Sequence, residues 1–444
     1  MLPTRTTGGL AAPIVVAATA LALAGWGPEG RARNVILLIG DGMGDSEITI
    51  ARNYHVGAAG RLAMDTLKFT GAYTTFALQE ARPTLPDYVT DSAASGTAWA
   101  TGSKTSNGRI STLAGSSGVA PLPTILELAQ HAGFRTGNVT TAELTDATPA
   151  VLNSHINDRT CQGPENMASC SAYKKDLGGP GSIAEQTVDH HVDLLLGGGR
   201  KRFDQTITGG PHVGYTVVHS AKLQGYHVVT DKFGLAAAGA DRRLLGLFNA
   251  GNMSLEWTGA RAALFPGSGP QTCTEGQRKL LTKEPSLADM TEAALRLLKS
   301  EDGPGFFLQV EGGSIDKQDH AQNPCQQIGE TIAFDDAIRV ALEFARRHPQ
   351  TLIVVTADHA HSSQIVPVVS AVETTPRPGL LSTLITHDGA PMSVNYGTRA
   401  HLQSQDHTGA QVRIAAEGPQ ASSVAGLTDQ TDLFRTMGRA LGLW

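Results

Sequence analysis

Six short, largely apolar runs recur along the chain, at residues 35–39, 136–139, 192–196, 244–248, 306–310 and 352–356. None alternates apolar with polar positions, as a strand with one wet face does. Unbroken apolar runs of this length fit strands buried on both faces. Helical periodicity lies between them. Thr124 and Glu127 form a T-x-x-E capping box ahead of Ile125, Leu126, Leu128 and Ala129, and Gly133 is the stop. Ser286 and Asp289 open a helix that runs to Leu298. From 331 to 347, Phe334, Ile338, Ala341, Leu342 and Ala345 share one stripe, and Pro349 ends it. This alternation predicts an α/β fold, a mostly parallel central sheet flanked by helices on both faces.

Composition sharpens the picture. Of 444 residues, 41% are hydrophobic and 17% charged, which is too apolar and too weakly charged for a disordered chain. The net charge of −6 gives no basic face for nucleic acid. Residues 1–24 read as a signal peptide. Arg5 precedes a run of mostly Ala, Val, Ile and Leu at 10–23, and Ala22-Leu23-Ala24 fits the small-x-small cleavage rule. A retained membrane anchor is the alternative, but spanning takes about 20 apolar residues and Pro13 interrupts this run. The chain is thus expected to be periplasmic or secreted, with no membrane contact after cleavage.

Four cysteines in an exported chain imply two disulfides. Three pairings are open; Cys161–Cys170 with Cys273–Cys325 closes the shortest loops. The stretches 161–185 and 255–285 are rich in Gly, Pro, Ser and Lys and carry cysteine, so they read as surface insertions pinned by disulfides. No linker divides the chain, so residues 34–444 are expected to form one domain with those two insertions.

The polar residues are placed more tellingly. Run 35–39 ends in Gly40-Asp41-Gly42-Met43-Gly44; run 136–139 leads to a loop with Asp146 and Thr148. Run 306–310 ends in Glu311, Asp316 and Lys317, and run 352–356 in Asp358, His359 and His361. Ligands of open α/β sheets bind beyond the carboxyl ends of the strands. One Asp after a strand is commonly a helix cap, but four acid-bearing strand ends with adjacent histidines point to a metal site. Asp358-His359 and Asp316-x-x-x-His320 mix carboxylate with imidazole, which suits Zn2+; Asp146, Thr148 and Glu311 are oxygen donors, which suits Mg2+. Ser92 precedes a run of small residues that reads as the first turn of a helix, whose free N–H groups favour an anion. His155, His190, His191 and His227 have no acidic loop motif around them and read as structural.

Six segments together, Asp41-Gly-Met-Gly-Asp, Thr90-Asp91-Ser92-Ala93-Ala94, Thr145-Asp146-Ala147-Thr148-Pro149, the stretch from Val310 to His320, the stretch from Thr356 to His361, and His407-Thr408-Gly409, resemble the bacterial periplasmic alkaline phosphatases over about residues 34–444. The resemblance implies a phosphomonoesterase of broad substrate range, with a phosphoserine intermediate, two zinc ions, one magnesium and a homodimer. It implies Ser92 as nucleophile. Asp316, His320 and His407 would hold one zinc, and Asp41, Asp358 and His359 the other. Asp41 would bridge to a magnesium shared with Asp146, Thr148 and Glu311. Arg159 would clamp phosphate beside Asp91 and Ser92, Lys317 would reach it through water, and His361 would orient Asp316. A phosphodiesterase or sulfatase on the same scaffold is the alternative, and an exported phosphate- or metal-binding protein without turnover is a third reading.

Overall fold

The structure is a computed structural model describing residues 30–276, 278, 282–300, 302–370, 372–399 and 403–444. The expected signal peptide at 1–24 lies outside the described residues.

The apolar runs become the centre of a ten-stranded sheet. Its middle is Thr351–Ala357, Asn34–Gly40, Phe306–Gly312 and Arg135–Glu143, followed by Leu194–Gly198, Arg243–Leu247 and Tyr226–Val229. On the other side lie Val412–Glu417, Phe69–Thr74 and Gly426–Asp429. Val412–Glu417 alone runs against the rest. All seven residues of Phe306–Gly312 and of Thr351–Ala357 are buried, as expected of strands covered by helices on both faces.

The register of the middle strands sets up everything else. Gly40 pairs with Gly312 on one side and with Ala357 on the other. Three parallel strands therefore end level, and the next residues, Asp41, Gly313 and Asp358, emerge at one edge. Gly42 makes the turn there at φ 66°; a Cβ on it would stand 3.0 Å from the Asp316 backbone.

Three expected elements differ most in extent. The strand expected at 136–139 runs from Arg135 to Glu143. The strand expected at 192–196 begins at Leu194, and Asp193 instead accepts a hydrogen bond from the Thr136 amide at 2.8 Å. The helix expected at 331–347 begins at Pro324, which supplies no N–H and so suits a first turn. Its added turns bury Cys325, Gln327 and Ile328, and the glutamines hid them from the apolar stripe. Thr124 and Ser286 cap their helices as expected, each with its reciprocal acid.

Both cysteine-bearing stretches are tied to the rest of the fold. Cys161 is bonded to Cys170 and Cys273 to Cys325. Cys161, Cys170 and Tyr173 are buried in the core, which draws residues from Ala32 to Leu441. Ser268–Gln271 joins a second, four-stranded sheet with Leu380–Ile385, Pro391–Tyr396 and Ser363–Val366.

Loop-closure entropy scales with the chain enclosed. The bonds span 9 and 52 residues, giving about 2.6 and about 4 kcal/mol on the chain-entropy model. Replacing Cys273 and Cys325 by Ser is expected to lower the denaturation midpoint further than the same change at Cys161 and Cys170, read by guanidinium titration.

Candidate functional site

Ser92 is the first residue of the helix Ser92–Thr101, every residue of which is buried. Asp91 caps it, accepting the Ala94 N–H at 2.9 Å. That cap fixes the first turn of the helix, and with it the position of Ser92. Ser92 Oγ lies 3.4 Å from Asp41 Oδ1 and 3.3 Å from His359 Nε2. It lines a cavity of about 850 Å3, shared with Asp91, Arg159, Lys317, His320 and His407.

Arg159 is held in one orientation by two carboxylates, donating to Asp91 at 3.1 Å and to Asp146 at 3.0 Å. Lys317 donates to the other oxygen of Asp146 at 2.7 Å. Burial alone would raise the Asp146 pKa, but Lys317 and Arg159 hold it below the usual carboxylate range. Both oxygens of Asp146 are thus engaged by cationic side chains.

Asp316 gathers three imidazoles. Its Oδ1 is 3.4 Å from His320 Nε2, 3.2 Å from His407 Nε2 and 3.3 Å from His361 Nε2. Tautomers separate these rings. His407 Nδ1 faces the Thr90 carbonyl at 3.1 Å, and His320 Nδ1 faces the Gln405 carbonyl. A carbonyl only accepts, so each Nδ1 carries the proton and each Nε2 of a neutral ring offers a lone pair. Those two Nε2 atoms are 3.2 Å apart. His361 is opposite: its Nδ1 accepts the Ser362 N–H at 2.8 Å, so Nε2 carries the proton, 3.3 Å from Asp316 Oδ1. His361 therefore presents an N–H, and neutral His320 and His407 present lone pairs, to the same space beside Asp316.

A second group adjoins. Asp358 Oδ1 accepts the N–H groups of Gly42 and His359, at 2.8 and 2.9 Å. Its Oδ2 has no hydrogen bond and lies 3.3 Å from His359 Nε2. His359 Nδ1 faces the Ala360 carbonyl at 3.3 Å, which leaves its Nε2 lone pair toward Asp41 and Asp358. Burial, then the neighbouring His407, keeps this ring neutral. Burial, then the charge of Asp316, raises the pKa of Asp41; burial, then Asp41, raises that of Asp358. Glu311 is pushed up to about 7 by burial. Its Oε1, like Thr148 Oγ1, is buried without a hydrogen-bond partner. Buried like charges, converging lone pairs and orphaned oxygens are what cations relieve, and a mixed carboxylate–imidazole set fits zinc while the hydroxyl and carboxylate fit magnesium.

The alkaline phosphatase family model matches residues 32–401 and 385–443. The chain belongs to the alkaline phosphatase family. It is 52% identical over 419 residues to the streptomycin-6-phosphate phosphatase of Streptomyces griseus, covering 93% of this chain and 91% of that one. It is 51% identical over 423 residues to the alkaline phosphatase of Escherichia coli, covering 93% and 86%. The solved alkaline phosphatase of the Antarctic bacterium TAB5 shares the fold, with TM-score 0.71 at 23% identity over 93% of this chain and 99% of that one. This alkaline phosphatase is therefore a phosphoric monoester hydrolase, as its relatives are named.

The candidate ligands, Ser92, Arg159 and Lys317 fall at or beside this edge of the sheet, but the structure adds partners that spacing did not reveal. The carbonyls of Thr90 and Gln405 fix the histidine tautomers. Asn107 Oδ1 accepts the Asp91 N–H at 2.8 Å, and Asn107, Thr398 and Asp406 line the cavity. Apart from Thr90, none of these partners lies in a segment quoted above. His155 and His190, read as structural from sequence, converge on Glu127.

Chelation is expected to lower the Tm, because it returns uncompensated charge to buried Asp41, Asp358 and Glu311. Differential scanning calorimetry with EDTA, then with Zn2+ and Mg2+ restored, checks the loss and its reversal.

Proposed function

We propose that this alkaline phosphatase cleaves phosphate monoesters to an alcohol and inorganic phosphate through a phosphoserine at Ser92. The observation that carries the reading is the position of Ser92 Oγ, at a helix N-terminus, 3.3 Å from a neutral His359 and across the cavity from a pre-oriented Arg159. Asp316, His320 and His407 are suited to one zinc, Asp41, Asp358 and His359 to a second, and Asp41, Thr148 and Glu311 to a magnesium. When bound, these ions supply Lewis acidity at the attacking and leaving oxygens and lower the pKa of the serine hydroxyl.

The chain's own residues do the rest. Arg159 presents a planar fork to two phosphate oxygens, a geometry lysine does not offer. Asp91 and Asp146 hold that fork still, so little ordering remains when substrate arrives. The free N–H groups at the start of the Ser92–Thr101 helix favour the anion. Ser92 Oγ then attacks phosphorus in line with the departing alcohol oxygen, and hydrolysis of phosphoserine releases phosphate.

Asp146 takes a different role from the direct magnesium ligand expected from sequence. With Oδ1 on Arg159 and Oδ2 on Lys317, it positions the two cations that face phosphate, while Thr148 and Glu311 keep the unpartnered oxygens. The signal-like residues 1–24 support export to the periplasm or medium, and family membership supports a homodimer of single-domain chains. Streptomycin 6-phosphate, the substrate named for the Streptomyces griseus relative, is itself a monoester and belongs in the substrate panel.

The first test is hydrolysis of p-nitrophenyl phosphate at alkaline pH, before and after chelation and metal return, paired with bis-p-nitrophenyl phosphate and a sulfate ester. Loss on chelation, recovery with both metals and preference for the monoester are expected; preference for diester or sulfate favours the alternative reading. Ser92→Ala is expected to keep metal and phosphate binding and lose at least about 10^3-fold in kcat. Arg159→Ala is expected to raise the phosphate inhibition constant roughly 10- to 100-fold, the worth of about 1.5–3 kcal/mol in charged hydrogen bonds. An unchanged constant refutes the clamp.

A further inference from the structure

A third cluster lies outside the cavity, built from Glu127, His155 and His190. Glu127 sits in the helix Ile125–His131, His155 in the loop between Thr148 and Arg159, and His190 at the end of the helix Ile183–Asp189. Both imidazole Nε2 atoms lie 3.0 Å from the same oxygen, Glu127 Oε1.

The other ring nitrogens decide what this convergence means. His155 Nδ1 faces the Ser111 carbonyl at 2.9 Å, and His190 Nδ1 faces the Gln186 carbonyl at 2.9 Å. Each Nδ1 must therefore donate, and a neutral ring then turns the lone pair of Nε2 toward Glu127. Glu127 Oε2 is already fixed, accepting the Thr124 N–H at 2.8 Å. A single proton on Oε1 would serve only one of the two rings. Two imidazoliums would satisfy the contacts, at the cost of two like charges with ring centroids 5.7 Å apart in a mostly buried place. One divalent cation accepts both lone pairs and the carboxylate together, with each Nδ1–H on a carbonyl, the usual outer arrangement of metal-bound histidine.

We propose that Glu127 Oε1, His155 Nε2 and His190 Nε2 form a structural site for a divalent cation of the zinc type, additional to the ions at the Ser92 site. Two imidazoles and one carboxylate are a zinc donor set, and the partial exposure of His190 and Glu127 leaves room for water as a fourth ligand. The site braces the loop that runs between Thr148 and Arg159. His155 lies in it, and the same loop is tied to the segment 108–110 of this chain by Ile156 N–H to the Ile110 carbonyl and Arg159 N–H to the Gly108 carbonyl.

Zinc content of the dialysed full-length enzyme, measured by inductively coupled plasma mass spectrometry, tests the site. His190→Asn and Glu127→Gln are compared with the wild-type chain; glutamine at 127 retains the capping box. Each variant is expected to hold one zinc equivalent per chain fewer, with a lower Tm that added Zn2+ does not restore. Equal zinc content in the folded wild-type chain and both variants overturns the proposal. Wild-type crystals measured at the zinc absorption edge give a check that needs no variant. An anomalous peak among the three atoms supports the site, and a flat map there overturns it. Because zinc is counted against the wild-type chain and located by position, the outcome is independent of whether Ser92 is the nucleophile.

Discussion

Charge packed into a dry place is the constraint on which this molecule turns. Asp41 and Asp358 are buried at the level ends of two paired strands, and Glu311 is buried within the third. Such carboxylates raise one another's pKa and are tolerated in an interior only with compensation. Part of that compensation is internal: backbone N–H groups on Asp358, His361 beside Asp316, and Lys317 and Arg159 on Asp146. The part left over, with its orphaned oxygens and facing lone pairs, is the shape of bound cations. The same arrangement places Ser92 Oγ 3.4 Å from Asp41 and 3.3 Å from His359.

Backbone carbonyls do much of the sorting. Four histidines stand at the site, and nothing in their side chains distinguishes ligand from support. The carbonyls of Thr90, Gln405 and Ala360 claim Nδ1 of His407, His320 and His359, while the Ser362 N–H donates to Nδ1 of His361. The chain thus assigns each ring its role through atoms that every residue possesses. The same logic gives His155 and His190 their shared direction.

Arg159 illustrates how rigidity is built from a loop. Asp91 caps the Ser92–Thr101 helix through Oδ1 and holds both Gly108 N–H and Arg159 through Oδ2. One carboxylate therefore couples the position of Ser92 to that of Arg159. Asp146 does the same between Arg159 and Lys317, after capping its own short helix.

The sequence by itself determined the sheet and the edge. Largely apolar runs such as 306–310 and 352–356, short and lacking alternation, fit strands covered on both faces, and acids placed directly after them emerge where parallel strands end. Capping boxes at Thr124 and Ser286 were equally legible, because their physics is confined to four residues. What the sequence left open required distance. The first turns of the Pro324–Arg347 helix were hidden by glutamines whose burial depends on neighbours far along the chain. The engagement of Asp146 by Arg159 and Lys317 joins residues 13 and 171 positions apart. Glu127 lies 28 and 63 positions from His155 and His190, and the capping box around Glu127 gives no hint of either histidine. A side chain's residue type sets what it can do; which lone pair it presents, and to whom, is decided only when packing and backbone hydrogen bonds fix its neighbours.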